Sequence, residues 1–130
     1  MKNAKTSGFQ FSNPKVKKLV FQINENYDSS KYEGMPVSYE IGIVDQAEES
    51  AIVELQVVVG ILDGATPFYV ELTNCAEFRW TNDIEEFSEK LLKHNAAILL
   101  MSYARPVIAH IVGDAGFKPF NLPFLDMRED

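Results

Sequence analysis

The chain has 130 residues, 46% of them hydrophobic and 12% aromatic, and a formal net charge of −7. That suffices for one domain with a packed core. It excludes wholesale disorder, and the surplus of acids excludes general nucleic-acid binding, which needs clustered Lys and Arg against phosphate. The single cysteine, Cys75, cannot close an internal disulfide, which fits a reducing compartment. No apolar run approaches the roughly 20 residues of a membrane span, and polar residues 1–7 carry no hydrophobic signal segment, so a cytoplasmic protein without membrane insertion is expected. Charge is unevenly spread: Lys2, Lys5, Lys15, Lys17 and Lys18 fall within residues 1–18 with no acid, so residues 19–130 carry −12. The basic start reads as a solvated, partly frayed terminus.

Residues 9–25 are strand-like, with Leu19, Phe21 and Ile23 alternating against Lys18, Val20 and Gln22, and Pro14 should interrupt the ladder or mark a bulge. Turn formers dominate residues 26–36, a long loop that includes Tyr27, Tyr32 and Met35. Val37, Tyr39, Ile41 and Ile43 then alternate with Ser38, Glu40 and Gly42 as a half-buried strand. Residues 51–62 begin with the same alternation and become apolar on both faces at Val57, Val58 and Val59. After the turn-forming pair Asp63 and Gly64, a fourth strand puts Phe68, Val70, Leu72, Ala76, Phe78 and Trp80 on one face and Tyr69, Glu71, Thr73, Glu77 and Arg79 on the other. Four strands joined by short connections predict an antiparallel sheet.

The period then changes. Asn82 or Asp83 can cap a helix, Ile84, Phe87 and Leu91 recur at helical spacing, and Glu86 with Lys90 and Glu89 with Lys93 are favourably ordered pairs. Residues 96–101 are all apolar, a run that would bury a helix on every side, and Leu100, Ala104, Val107, Ile108, Ile111 and Val112 extend the stripe. Pro106 predicts a kink or break, and Gly113 or Gly116 the end. Strands first and helices afterwards give an α+β class, with a four-stranded antiparallel sheet and C-terminal helices packed on one side, in a single domain over residues 1–130.

Little in the chain points to catalysis. His94 and His110 are sixteen residues apart and would point about 160° away from each other on one straight helix, so they cannot share a metal there. His110 is expected as a packed or interface residue and Cys75 as a structural one, with no local group to depress its pKa. Asp83, Glu85, Glu86 and Glu89 suit the positive end of a helix. With no phosphate loop, zinc spacing, nucleophile elbow or carboxylate pair, neither enzyme activity nor any cofactor or metal is expected. What does stand out is apolar surface beyond what one sheet face can cover, which closes against copies of the same chain or against a client.

The run Ile98-Leu99-Leu100-Met101-Ser102-Tyr103-Ala104-Arg105, followed by Gly116-Phe117-Lys118-Pro119-Phe120-Asn121-Leu122-Pro123, resembles the SecB family of export chaperones. In that family an apolar helix ends in Pro-Tyr-Ala-Arg-Glu and a Gly-x-Phe-Pro-x-Leu-Asn-Leu-x-Pro loop follows. The likeness extends loosely over residues 9–127. Ser102, Pro106 and the early Pro123 depart from the pattern, and the usual further helix and tail are not matched.

The resemblance implies an oligomer, a dimer of dimers, joined through helix residues such as Ile98, Leu99, Met101, Val107, Ile108 and Ile111. It implies ATP-independent holding of unfolded or nascent polypeptides in apolar grooves, tied to export or to a dedicated client such as an antitoxin. Groove candidates are Tyr27, Tyr32, Met35, Phe68, Tyr103, Phe117, Phe120 and Leu122. The family's docking on the translocase motor SecA uses sheet-face acids; Glu71 matches one, whereas Lys18 and Gln22 stand at corresponding first-strand positions. The alternative from another class is a small-ligand-binding protein or enzyme with a pocket between sheet and helix.

Overall fold

A computed structural model describes residues 1–4, 8–81 and 89–127. Among these residues the regular structure comprises five strands and one long helix: β1 (Phe9–Phe11), β2 (Lys15–Ile23), β3 (Val37–Gln46), β4 (Ser50–Gly60), β5 (Phe68–Trp80) and α1 (Glu89–Asp114). β1 and β2 both pair with β5, one beyond the other along its length, so together they act as a single edge strand interrupted around Pro14. The sheet is thus four strands wide, entirely antiparallel, in the order β1/β2, β5, β4, β3. The expected interruption of the first strand is present, with a further register shift between Val16 and Lys18.

Alternation decides which face of the sheet carries the core. On β4, Ala51, Val53, Leu55, Val57 and Val59 are buried, and on β5 so are Phe68, Val70, Leu72, Ala76, Phe78 and Trp80. These rows lie side by side in register, Val57 opposite Leu72 and Val59 opposite Val70. Successive side chains of a strand point to opposite faces, so both rows look the same way. α1 lies across β4 and β5 on that face and reaches β3 less extensively. It buries Leu92, Ala96, Ala97, Leu100, Met101, Ala104, Ile108 and Val112, whose three- and four-residue spacing is that of one helix face. One polar residue interrupts the β5 row. Asn74 is buried opposite Leu55, and its Nδ2 donates to the Leu100 carbonyl of α1 at 3.0 Å, which ties the helix to the sheet at one point.

The helix corrects several sequence expectations. It runs unbroken through Pro106. Pro106 and Ser102 are both on the exposed side, where water can serve the Ser102 carbonyl left without an amide donor. The apolar run is not covered on every side: Ile98 is exposed and Leu99 half-buried, because the sheet meets only one face. By length and composition α1 also suffices to cross a bilayer, contrary to the reading of the apolar runs, although one face of it is taken up by the sheet. His110 is not packed but exposed, 3.1 Å from Asp114 one turn on. The Glu89–Lys93 pair forms at 3.4 Å. The capping candidates Asn82 and Asp83, with Ile84, Glu85, Glu86 and Phe87, lie outside the described residues. Among the described residues there is one α-helix where several were expected.

α1 ends as its glycines predict. The Gly116 amide bonds to the Gly113 carbonyl and the Phe117 amide to the Val112 carbonyl, with Gly116 at φ +97°, the paired bonds of a Schellman cap. The chain then turns back, and residues 117–127 form a strap along α1. The Arg105 guanidinium donates to the main-chain carbonyls of Leu122 and Pro123, and Met127 ends buried beside Tyr39, Ile41 and Ala97, where β3 lacks helical cover. Gly60, at φ +85°, has no room for a side chain, since a Cβ there would stand 2.2 Å from the Phe68 carbonyl oxygen. Gly60→Ala should therefore destabilise the fold by roughly 2–3 kcal/mol. Denaturant unfolding followed by the emission of Trp80 measures it, and a loss under half a kcal/mol contradicts the packing described.

Candidate functional site

The groove candidates fall into three groups. At the sheet end where β2 stops and β5 starts, Phe68 and Phe117 have ring centroids 5.1 Å apart and Phe68 and Phe120 6.5 Å. Phe21 completes this cluster, stacked on Phe68 at 5.8 Å and 6.3 Å from Phe117. It follows from strand alternation that Phe21 faces the helix side, and sequence reasoning placed it on that face without giving it a role. Phe68 is buried at the bottom, with Phe21, Phe117 and Phe120 half-buried around it.

The second group sits on the loop between β2 and β3, which contains a short 3₁₀ turn at Ser29–Lys31. Tyr27 and Tyr32 meet edge to face at 6.4 Å and both stay exposed, and Met35 packs against the core from the loop's far end. Asp28 closes the turn between the tyrosines, its carboxylate accepting from the Ser30 hydroxyl at 2.7 Å and the Ser30 amide at 3.0 Å. The third group lies towards the opposite end of the sheet, where Tyr103 touches Phe11 of β1 at 6.4 Å. Phe11 also went unread as a site residue. Leu122 belongs to none of these: it is buried in the strap below the Arg105 clip.

Between the first and third groups runs apolar surface that the helix does not cover. Leu19, Phe21 and Ile23 pair with Leu72, Val70 and Phe68 and so share the helix-side face. Yet Leu19 is 40% exposed, Ile23 50%, Phe11 41% and Tyr103 42%. Since Tyr103 points towards the β1/β2 edge, Leu99, Val107 and Ile111, at four-residue intervals along α1, line the same side. Of the helix residues expected at a subunit interface, Ile108 is fully buried in this chain's own core, and Met101 is buried but lines a groove on the flank of α1. Ile98, Leu99, Val107 and Ile111 keep accessible surface.

A second apolar groove of about 620 Å³ opens on the other flank of α1, lined by His94, Ile98, Met101, Ser102 and Arg105 together with residues 124–127 of the strap. Phe124, 99% exposed, stands at its mouth. The groove is open along its length. No group of His, Cys, Asp or Glu with metal-holding geometry occurs among the described residues.

The opposite face of the sheet is polar and charge-balanced. Lys17 meets Glu54 at 2.7 Å and Lys18 meets Glu71 at 3.0 Å, while the Gln56 amide donates to the other Glu71 oxygen at 2.7 Å. The hydrogen bond to Glu54, reinforced by its charge, holds the Lys17 ammonium above its usual 10.5. Glu71, the motor-contact candidate, is thus engaged on both oxygens, and Lys18 stands beside it where the sequence comparison suggested a lost acid.

A family model described as preprotein translocase subunit SecB matches residues 3–129. The chain belongs to the SecB family. Two curated relatives, protein-export proteins SecB from two strains of Acidithiobacillus ferrooxidans, are 37% identical over 81 residues, which cover 62% of this chain. That match takes in 54% of each relative, so the chain spans about half the length of the SecB proteins it matches. Among solved structures, the SecB-like chaperone of Mycobacterium tuberculosis in complex with a ChAD peptide from the HigA1 antitoxin superposes with a TM-score of 0.65 at 16% identity, covering 91% of this chain and 90% of that one. A protein of unknown function from Streptococcus agalactiae gives a TM-score of 0.54 at 16% identity over 89% of this chain and 97% of that one. At that identity both show a shared fold. The α+β architecture expected of a SecB protein is the one observed, an antiparallel sheet with a C-terminal helix packed on it.

The two hydrogen bonds from Ser30 hold the Asp28 carboxyl below its usual 3.8. A depressed carboxyl pKa gives stability that is present above the unfolded value and lost as pH falls through the lower, folded one. In an acid titration followed by the Asp28 side-chain carbon and the ring signals of Tyr27 and Tyr32, the midpoint should fall below 3.8. A midpoint at or above it contradicts the turn as described.

Proposed function

We propose that the chain is an ATP-independent holdase that binds unfolded or nascent polypeptides, with export as its setting. One observation carries this reading. Aromatic and aliphatic side chains from β1, β2 and α1 form surface that stays open on the helix side of the β1/β2 edge, running into the Phe21, Phe68, Phe117 and Phe120 cluster. Burial of apolar surface is non-directional and stabilises by roughly 25 cal/mol per Å², so such a surface accepts many sequences as long as the guest is extended and apolar. The description of the family, preprotein translocase subunit, and the name of the curated relatives, protein-export protein, support export as the setting.

A client held in this way leaves when a partner competes for it, since the sequence offers no nucleotide-binding loop through which hydrolysis could drive release. The Mycobacterium tuberculosis protein of the same fold is seen with an antitoxin peptide. A dedicated client of that kind is the narrower form of the same proposal. Self-association, as a dimer of dimers, would use Ile98, Leu99, Val107 and Ile111 and the exposed Phe124. Docking of SecA at Glu71 would first have to displace Lys18 and Gln56.

The purified protein should slow the aggregation of several chemically unfolded clients at near-stoichiometric ratio, and an absence of effect on all of them removes the proposal. Tyr103→Ser should weaken binding about tenfold, the expected loss when a half-exposed aromatic stops contributing contact. Native mass measured alongside separates the two uses of the surface. If the complex falls to smaller species while client affinity per subunit holds, Tyr103 serves the subunit interface.

A further inference from the structure

The loop that carries Tyr27, Tyr32 and Met35 has no fully buried side chain between Glu25 and Pro36. Met35 packs half-buried on the core at its far end, and polar contacts hold the part with the tyrosines. Its start is fixed by Asn24, which is 7% exposed and whose Nδ2 donates to the Ile61 carbonyl at 2.7 Å and the Thr66 carbonyl at 2.8 Å, with the Thr66 hydroxyl at 3.4 Å. Thr66 is fully buried. Its Oγ1 accepts from the Ile61 amide at 2.9 Å and lies 3.0 Å from the Phe68 carbonyl and 3.1 Å from that of Ile61, its single hydrogen going to one of the two.

Main-chain bonds extend this knot in both directions. The Asn24 amide donates to the Pro67 carbonyl, the Asp28 amide to the Gly64 carbonyl and the Gly60 amide to the Pro36 carbonyl. Gly64, like Gly60, has no space for a Cβ, which would stand 2.7 Å from the Asn26 carbonyl oxygen. The loop is therefore keyed at both ends to the turn between β4 and β5. Two residues after Thr66 comes Phe68, the centre of the aromatic cluster. One buried polar knot thus sets the spacing between the exposed Tyr27–Tyr32 pair and the core-anchored cluster around Phe68.

We propose that Asn24 and Thr66 are positioning residues of the client-binding surface: they touch no client, and they set the distance between the Tyr27–Tyr32 loop and the Phe21, Phe68, Phe117 and Phe120 cluster. This rests on the holdase reading and adds the requirement that both groups engage one client at once. A buried donor or acceptor left without its partner loses far more than an exposed one, so removing the hydroxyl frees the loop while the β4–β5 ladder, which the knot does not form, stays intact.

The test uses Thr66→Val, which keeps the shape and removes the hydroxyl, Thr66→Ser, which restores it, and Asn24→Ala. The probe is a reduced and carboxymethylated polypeptide that cannot fold. Trp80, the sole tryptophan, lies at the far end of β5 from Thr66 and reports whether the sheet is native. T66V and N24A should raise the dissociation constant about tenfold and speed amide exchange at Tyr27, Asp28 and Tyr32 by a similar factor. The Trp80 emission should be unchanged, and T66S should return both values to within about twofold of wild type. Wild-type protein should also show slower exchange at those three amides when the probe is bound, a measurement that needs no variant to fold.

A wild-type protein that binds no unfolded probe overturns the holdase reading. One that binds without protecting the loop amides overturns the positioning role alone. So does a T66V protein with a loosened loop and unchanged affinity, or a T66S protein as weak as T66V.

Discussion

An α-helix with its side chains is about 10–12 Å across, whereas four strands at about 4.8 Å spacing make a sheet nearly twice as wide. A single helix laid on such a sheet must leave strips uncovered on its flanks, and the rest of this structure follows from how those strips are treated. α1 is centred on β4 and β5, whose inward rows are almost wholly excluded from water. On the β3 flank the strap narrows the gap, burying Met127 while the groove beside Ile98 and Phe124 stays open. On the β1/β2 flank nothing among the described residues performs the same task between the aromatic cluster and Tyr103, and Leu19 and Ile23 remain half in water although they point to the core side. The open surface is a geometric remainder of the fold, and the proposed holding of unfolded chains is a use for that remainder.

The two faces of the sheet divide the labour of solubility and binding. The outer face pairs Lys17 with Glu54 and Lys18 with Glu71, so it carries little net field despite the acidity of the chain as a whole. Exposed pairs of this kind contribute little to stability. Their effect is to occupy carboxylates that would otherwise be free to meet a basic partner. The strap is held differently. Arg105 grips it through main-chain carbonyls, so the side chains at positions 122 and 123 are not what is recognised.

Most of the fold was legible because alternation and helical spacing act locally. The inward rows of β4 and β5, the interruption near Pro14 and the glycine-ended helix all reflect rules that need only neighbouring residues. The errors came where tertiary context decides. Pro106 sits within a continuous helix because its face looks to solvent, and the burial of Ile108 in this chain's own core follows from the phase of the helix on its sheet, which local spacing does not fix. The candidate site was legible as a composition of large apolar residues around a family-like motif, but not as three separate groups, nor through Phe11 and Phe21. Asn24 and Thr66 left no trace at all. A buried polar knot between two turns is made of residues that every turn contains, and only their convergence in space distinguishes them.

Of the glycines with left-handed backbone, Gly60 and Gly116, both beside the Phe68–Phe117 cluster, differ in kind. Gly60 is confined by the atoms around it, whereas a side chain at Gly116 would meet nothing within 4 Å. The constraint at position 116 is therefore one of handedness alone. A mirror-image D-alanine, placed there by chemical synthesis or ligation, has the backbone preference that the reversal demands and fewer conformations than glycine to lose on folding. At that single position the protein should accept, and gain rigidity from, a residue of the chirality that nature does not encode.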